Sequence, residues 1–204
     1  MRSPPGALTR SPGIHLGGAE LLLVFLEQAY RLEMDELFVL APYVDTGAFS
    51  DVQLRSAWER LLPMVDAAIV VRTPASADAF LRFSEGRIRG LDVRVNSRLH
   101  AKVFVACRRG SEVALTGSLN LTGAAMHVND EVGILINPGA MAELRRLVLQ
   151  LREVAVTALR SGTVHAAKTL DCVASRHQQR RPLLRDGDPL ASGMTVTPKT
   201  RNAI

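Results

Sequence analysis

The stretch that decides the fold is Leu99 to Ile136, LHAKVFVACRRGSEVALTGSLNLTGAAMHVNDEVGILI. Its first run alternates, so a strand through it carries His100 and Lys102 on one face with Phe104 and Ala106 behind them, and Cys107 on the other. Arg108-Arg109-Gly110-Ser111 reads as a hairpin turn into a second short strand, Glu112 to Thr116. Ser118 and Asn120 leave the far end of that strand, beside the start of the first. LTGAAMHV fits about two helical turns, and a third extended run starts near Glu131 and continues through Ile136. Three neighbouring strands thus bring His100, Lys102, Ser118, Asn120 and Glu131 together.

Each of the five has a chemical use at a phosphate ester. An imidazole near neutral pH can attack phosphorus or relay a proton, which makes His100 the candidate nucleophile or acid/base. Lys102 brings a fixed positive charge to the phosphoryl oxygens, and the Ser118 hydroxyl and Asn120 amide are donors for the charge that grows in the transition state. Glu131 can accept a proton from the second imidazole nitrogen and fix the tautomer. This division of labour calls for no metal and no cofactor. His-any-Lys alone, or Gly-Ser-any-Asn alone, is common in ordinary strands and turns; their order and shared context carry the information.

That order resembles the phospholipase D superfamily, whose signature runs His, any residue, Lys, four residues, Asp, then a downstream Gly-Ser-any-Asn. TGSLNLTGAA (116–125) followed by Asn129-Asp130-Glu131 is similar to the small bacterial nucleases of that superfamily. The resemblance is strong over 99–136 and weak in the flanks. It implies a phosphohistidine on His100, phosphate binding by Lys102, Ser118 and Asn120, and a Glu131 that orients the histidine. One position departs: where the family has Asp, this chain has Cys107. Parity sets it on the face away from His100, so its replacement removes a supporting contact, and a Cys in an alternating apolar run is a small buried hydrophobe. The superfamily pairs two such motifs, whereas here none of the other histidines, at positions 15, 127, 165 and 177, is followed two residues later by Lys. The resemblance therefore implies a homodimer with one composite site on its two-fold axis.

The remainder bounds these expectations. With 204 residues, 47% of them hydrophobic, the chain can build one substantial core but not two comfortable ones. Its two cysteines, 107 and 172, form no CxxC or metal-ligand pattern and suit a reducing cytoplasm. Prolines interrupt the region where a signal peptide needs apolar residues, and LLLVFL (21–26) is too short to span a bilayer. Cytoplasmic localisation without stable membrane association is the expectation.

Along the chain, 1–17 reads as a flexible arm and 18–160 as the folded domain. Helical periodicity marks 18–34, 52–62, 76–83 and 140–160, and strands are expected at 37–43, 67–73 and 91–95. Strands alternating with helices predict an α/β fold, a mixed sheet covered by helices on both faces. Residues 161–204 read as a disordered tail; seven Lys or Arg against three Asp give it +4 of the chain's net +5. Such a tail, with RHQQRR (176–181), suits salt-dependent contact with nucleic acid or serves only to solubilise.

Small size, a single motif and the similarity to the nuclease branch favour a metal-independent DNA endonuclease, and single-motif relatives occur in bacterial DNA-modification and phage-defence systems with partner proteins. The alternative is a noncatalytic nucleic-acid-binding subunit that keeps the phosphate pocket. A phospholipase fits less well, since only 4% of residues are aromatic and no cluster of them is placed to grip a bilayer. Single-strand binding by stacking also fits poorly, because the motif strands offer only Phe104.

Overall fold

Alternating side chains sort one central sheet into two layers. In the computed structural model, which describes residues 11–168 apart from residues 86, 87 and 89, eight strands and five α-helices follow one another along the chain. They are β1 (Gly13–Gly17), α1 (Glu20–Arg31), β2 (Glu36–Leu40), α2 (Val52–Leu61), β3 (Asp66–Val71), α3 (Pro74–Ser84) and β4 (Gly90–Val95). There follow β5 (Val103–Arg108), β6 (Ser111–Gly117), α4 (Gly123–His127), β7 (Gly133–Asn137), α5 (Ala142–Ser161) and β8 (Thr163–Lys168). The eight strands form one mixed sheet in the order β1-β7-β6-β5-β2-β3-β4-β8. β2, β3 and β4 are parallel, joined by crossovers through α2 and α3; every other neighbouring pair is antiparallel.

The odd members of β2 (Leu37, Val39) and the even members of β5 (Phe104, Ala106) face α1, α2 and α3, where Phe25, Trp58 and Phe80 are fully buried. Phe38, Leu40, Val103, Val105 and Cys107 face the other way, onto Val148, Ala155, Val156 and Leu159 of α5. Helices therefore cover both faces, as alternation of strands and helices predicts. Local signals fix the boundaries. Asp51 caps α2 by accepting from Leu54 N at 2.8 Å, and Thr73 caps α3 by accepting from Ser76 N at 3.2 Å, with Pro74 at its first turn. The β5–β6 hairpin closes through Arg109-Gly110, with Gly110 at φ 89°, a conformation glycine adopts without penalty.

Three boundaries differ from the sequence reading. The arm expected over 1–17 is part of the sheet from Gly13, because β1 pairs along β7 and His15 and Asn137 both bond the Ser11 carbonyl. At the other end, α5 runs to Ser161 and Thr163–Lys168 forms the edge strand β8 on β4, so 161–168 belong to the fold and not to the expected tail; the rest of that expectation, RHQQRR included, lies outside the described residues. Finally, β5 begins at Val103 and β7 at Gly133, so His100, Lys102 and Glu131 lie in the approaches to their strands. The partner of β5 explains the first of these: β2 pairs only up to Leu40↔Val103, two residues before Pro42, which has no N–H for a ladder. No helix among the described residues is long and apolar enough to cross a membrane.

Candidate active site at one end of the sheet

Strand directions alone gather the polar residues. β2, β3, β4 and β6 end, and β5 and β7 begin, at the same end of the sheet. The loops there carry Tyr43 after β2, Arg72 after β3, His100 and Lys102 before β5, Ser118 and Asn120 after β6, and Glu131 before β7. All five expected residues thus share one rim.

Within that rim the five form two units. In the first, Ser118 N donates to the Val132 carbonyl at 2.9 Å, Val132 N donates to Ser118 Oγ at 3.0 Å, and Ser118 Oγ donates to Glu131 Oε2. Asn129 Nδ2 reaches the other Glu131 oxygen at 3.4 Å. This interlock needs the glycine before it: a Cβ on Gly117 would lie 2.0 Å from the Val132 carbonyl oxygen. In the second unit, Lys102 Nζ donates to the His100 carbonyl at 3.2 Å while its own carbonyl accepts from Thr116 Oγ1 at 3.0 Å. His100 is exposed, and among the described residues its ring has no hydrogen-bond partner. Glu131 is thus brought to the same rim as His100 but holds Ser118 and Asn129, not the imidazole.

Asn120 is placed by a latch that the sequence reading missed. Val44 and Leu121 form a parallel bridge; Asp45 N donates to the Leu121 carbonyl at 2.9 Å and Leu121 N to the Tyr43 carbonyl at 3.1 Å. Asp45 Oδ1 then accepts from Ala48 N at 3.1 Å and Gly123 N at 2.9 Å, which ties the turn after β2 to the start of α4. Gly47 and Gly123 allow the contact, since a Cβ on Gly47 would lie 3.1 Å from the Gly123 Cα. Tyr43 N donates to Asn120 Oδ1 at 3.4 Å, which leaves the amide NH2 as the group with protons to donate. An aspartate followed by Thr-Gly after a buried strand was the available signal for this turn.

Cys107 lies at the far end of β5, about five residues from Lys102 or roughly 16 Å by strand rise. Its side chain is buried against α5. Burial pushes its thiol up from 9.0 to about 12, against the smaller opposite pull of Arg152. The parity reading holds: residue 107 is on the α5 face, away from the rim. Among the described residues no group of three or more His, Cys, Asp or Glu side chains is arranged to hold a metal.

No protein-family model matches this sequence, and no curated protein does. Solved structures do match the fold. A phospholipase D family member, Nuc from Salmonella typhimurium, is 21% identical, with a TM-score of 0.56 over 76% of this chain and 99% of that one. The fold is the phospholipase D fold. NucT from Helicobacter pylori superposes similarly, with a TM-score of 0.53 and 12% identity over 74% of this chain and 98% of that one. Both neighbours are spanned almost whole. At these identities the likeness extends to the architecture. What the rim does rests on its own residues.

Proposed function

We propose that this chain is a metal-independent phosphodiesterase that cuts DNA through a phosphohistidine. The observation that carries the reading is the exposed His100 and the half-buried Lys102 on the same sheet end as the Ser118 and Asn120 donors, within a phospholipase D fold. An imidazole nitrogen of His100 attacks phosphorus, forming an N–P bond as the P–O bond to the leaving strand breaks. The leaving oxygen takes its proton from His100 of a second subunit, and water then cleaves the N–P bond and restores the imidazole. Lys102 and the Asn120 amide stabilise the phosphoryl oxygens throughout. A single motif per chain makes a homodimer the natural form, its two-fold axis passing between the two histidines. We place its work in the cytoplasm, as part of a bacterial DNA-modification or phage-defence system with partner proteins, the setting of the single-motif relatives that the sequence resembles.

Glu131 completes the proposal as the residue that orients His100 once substrate is bound, which requires it to release Ser118 and frees the serine hydroxyl for phosphate. The bond between Glu131 and Ser118 also favours a second reading, a nucleic-acid-binding subunit in which the imidazole is never activated. Plasmid and single-stranded DNA incubated with the purified protein in EDTA, beside His100→Ala, separate the two. Cleavage that resists EDTA and disappears in the variant supports the enzyme; binding without cleavage supports the subunit; a strict need for Mg2+ rules the phosphohistidine route out.

A further inference from the structure

Beside the motif residues the rim carries an aromatic ring that the phosphate chemistry does not use. Tyr43 lies just beyond β2, and the register Leu40↔Val103 leaves it and His100 each three residues past the same end of the β2–β5 pair. Its backbone holds Asn120, yet its side chain is 44% exposed. The ring is not loose. Arg72 Nη1 donates to the Tyr43 hydroxyl at 3.2 Å, and its guanidinium carbon stands 6.0 Å from the ring centroid. Arg72 Nε donates to the Ser97 carbonyl at 3.2 Å, in the loop that leads to His100. Arg94, Arg108, Arg145 and Arg152 each close onto a carboxylate. Among the described residues Arg72 instead bonds only to neutral oxygens, so its charge remains available to an anion.

We infer that Tyr43 and Arg72 form a nucleotide platform: a base unstacked from its neighbours lies on the exposed Tyr43 ring while the adjoining backbone phosphate meets Arg72. An oriented ring beside an uncompensated guanidinium suits the alternation of base and phosphate along a strand. In a duplex the base faces are stacked and must first be opened at a free-energy cost, so the platform favours single-stranded nucleic acid over duplex. This deepens the phosphodiesterase reading above and rests on it, since the platform flanks the phosphate that His100 attacks. It also revises the expectation that stacking has only Phe104 to work with, because Phe104 is buried beneath the helices and the usable ring comes from outside the motif.

The test is fluorescence anisotropy with a labelled single strand and its duplex at fixed salt, in a His100→Ala background that cannot turn over. Tyr43→Ala should raise the single-strand Kd by about 5- to 150-fold, the range for loss of one stacked base, and leave duplex binding within about twofold. Tyr43→Phe keeps the ring and should retain most of the affinity. Arg72→Gln should lower the salt slope on single strands by about one unit. Tyr30→Ala removes a comparably exposed ring that Arg60 covers on α1, and should change nothing. Equal losses on both DNA forms, no loss on either, or retention on anionic vesicles in place of single strands overturns the platform. If the wild-type chain neither binds nor cuts any nucleic acid, the phosphodiesterase reading itself has failed; if it cuts and Tyr43→Ala is silent in a variant that melts normally, only the platform has.

Discussion

The two ends of β5 treat polar groups in opposite ways. At the rim, His100 is exposed and, among the described residues, Lys102 Nζ reaches only a backbone carbonyl. At the far end, Cys107 is flanked in register by Glu36 of β2 and Glu112 of β6, each closed by an arginine of α5. Arg152 meets Glu36 at 3.1 Å and stands over the Phe38 ring at 5.4 Å; Arg145 meets Glu112 at 2.9 Å. One strand thus separates charges kept available to a ligand from charges saturated by the fold. The far end clamps β5 under α5, and a strand held there can present unsupported side chains at its other end without fraying.

Breaking the rim should cost activity and almost no stability. His100→Ala is expected to lower DNA cleavage on the order of 10^4-fold or more, as loss of a nucleophile does. An exposed side chain with no partner among the described residues should leave stability within about 0.5 kcal/mol. Cleavage kinetics together with a urea melt check this, and a large shift of the urea midpoint would merge the two ends into one structural unit.

Breaking the clamp should do the reverse. Arg152 and Glu36 are 15% and 13% exposed, so Arg152→Ala withdraws the counter-charge from a nearly buried carboxylate and is expected to cost about 3 kcal/mol. Arg145→Ala should cost less, because that arginine is 42% exposed and water already screens its pair. Urea unfolding ranks the two, and the variants that remain folded should cut DNA at close to the parent rate per folded molecule. A selective loss of turnover would mean that the clamp reaches the chemistry.

How much of this contrast was legible in the sequence depends on which physical signal carried it. Parity along VFVAC set Cys107 on the α5 face opposite Phe104, and hydrophobic periodicity placed the helices on both sides. Strand order was legible only locally: the hairpin announced β5–β6, but nothing in GIHLG announced an edge strand paired with β7 more than a hundred residues away. The five motif residues were readable because their types and spacing carry chemistry. Tyr43, Arg72 and Asp45 were not, since each reaches the rim through the sheet's parallel centre, and sequence distance hides that proximity. Glu131 was read as a partner for His100 from its chemistry; its bond to Ser118 depends on a backbone interlock with Val132 that no spacing reveals.

Placing at position 107 the aspartate of the signature that the sequence resembles sharpens the comparison from inside the clamp. Cys107→Asp would set three carboxylates side by side on β2, β5 and β6, under arginines that already serve Glu36 and Glu112. It should lower stability by about 1–2 kcal/mol and leave cleavage unimproved; a sharp rise in turnover would show that the natural site is impaired. The native thiol has its own signature. Its pKa in the folded chain, about 12, exceeds the ordinary 9.0, so the stability it contributes is intact below pH 9 and is lost as the pH rises toward 12. In a Cys172→Ser background, alkaline unfolding over that window should be steeper for the parent than for Cys107→Ala, and iodoacetamide at pH 9 should spare Cys107 until urea unfolds the chain.

The smallest expected effect tests whether the rim is wholly exempt from structural duty. Asp45 accepts two backbone N–H groups, from Ala48 and Gly123, and so belongs by position to the rim and by function to the scaffold. Asp45→Ala should cost about 1 kcal/mol, the usual loss for such a cap, whereas Asp45→Asn keeps an acceptor and should cost less. Because the lost bond to Gly123 loosens the loop that carries Asn120, the alanine variant should raise KM for DNA a few-fold with kcat little changed, and hydrogen exchange at the Gly123 amide should quicken. Faster exchange without a change in KM would mean that the Val44–Leu121 bridge alone is enough to position Asn120, leaving Asp45 a structural residue that happens to stand at the site.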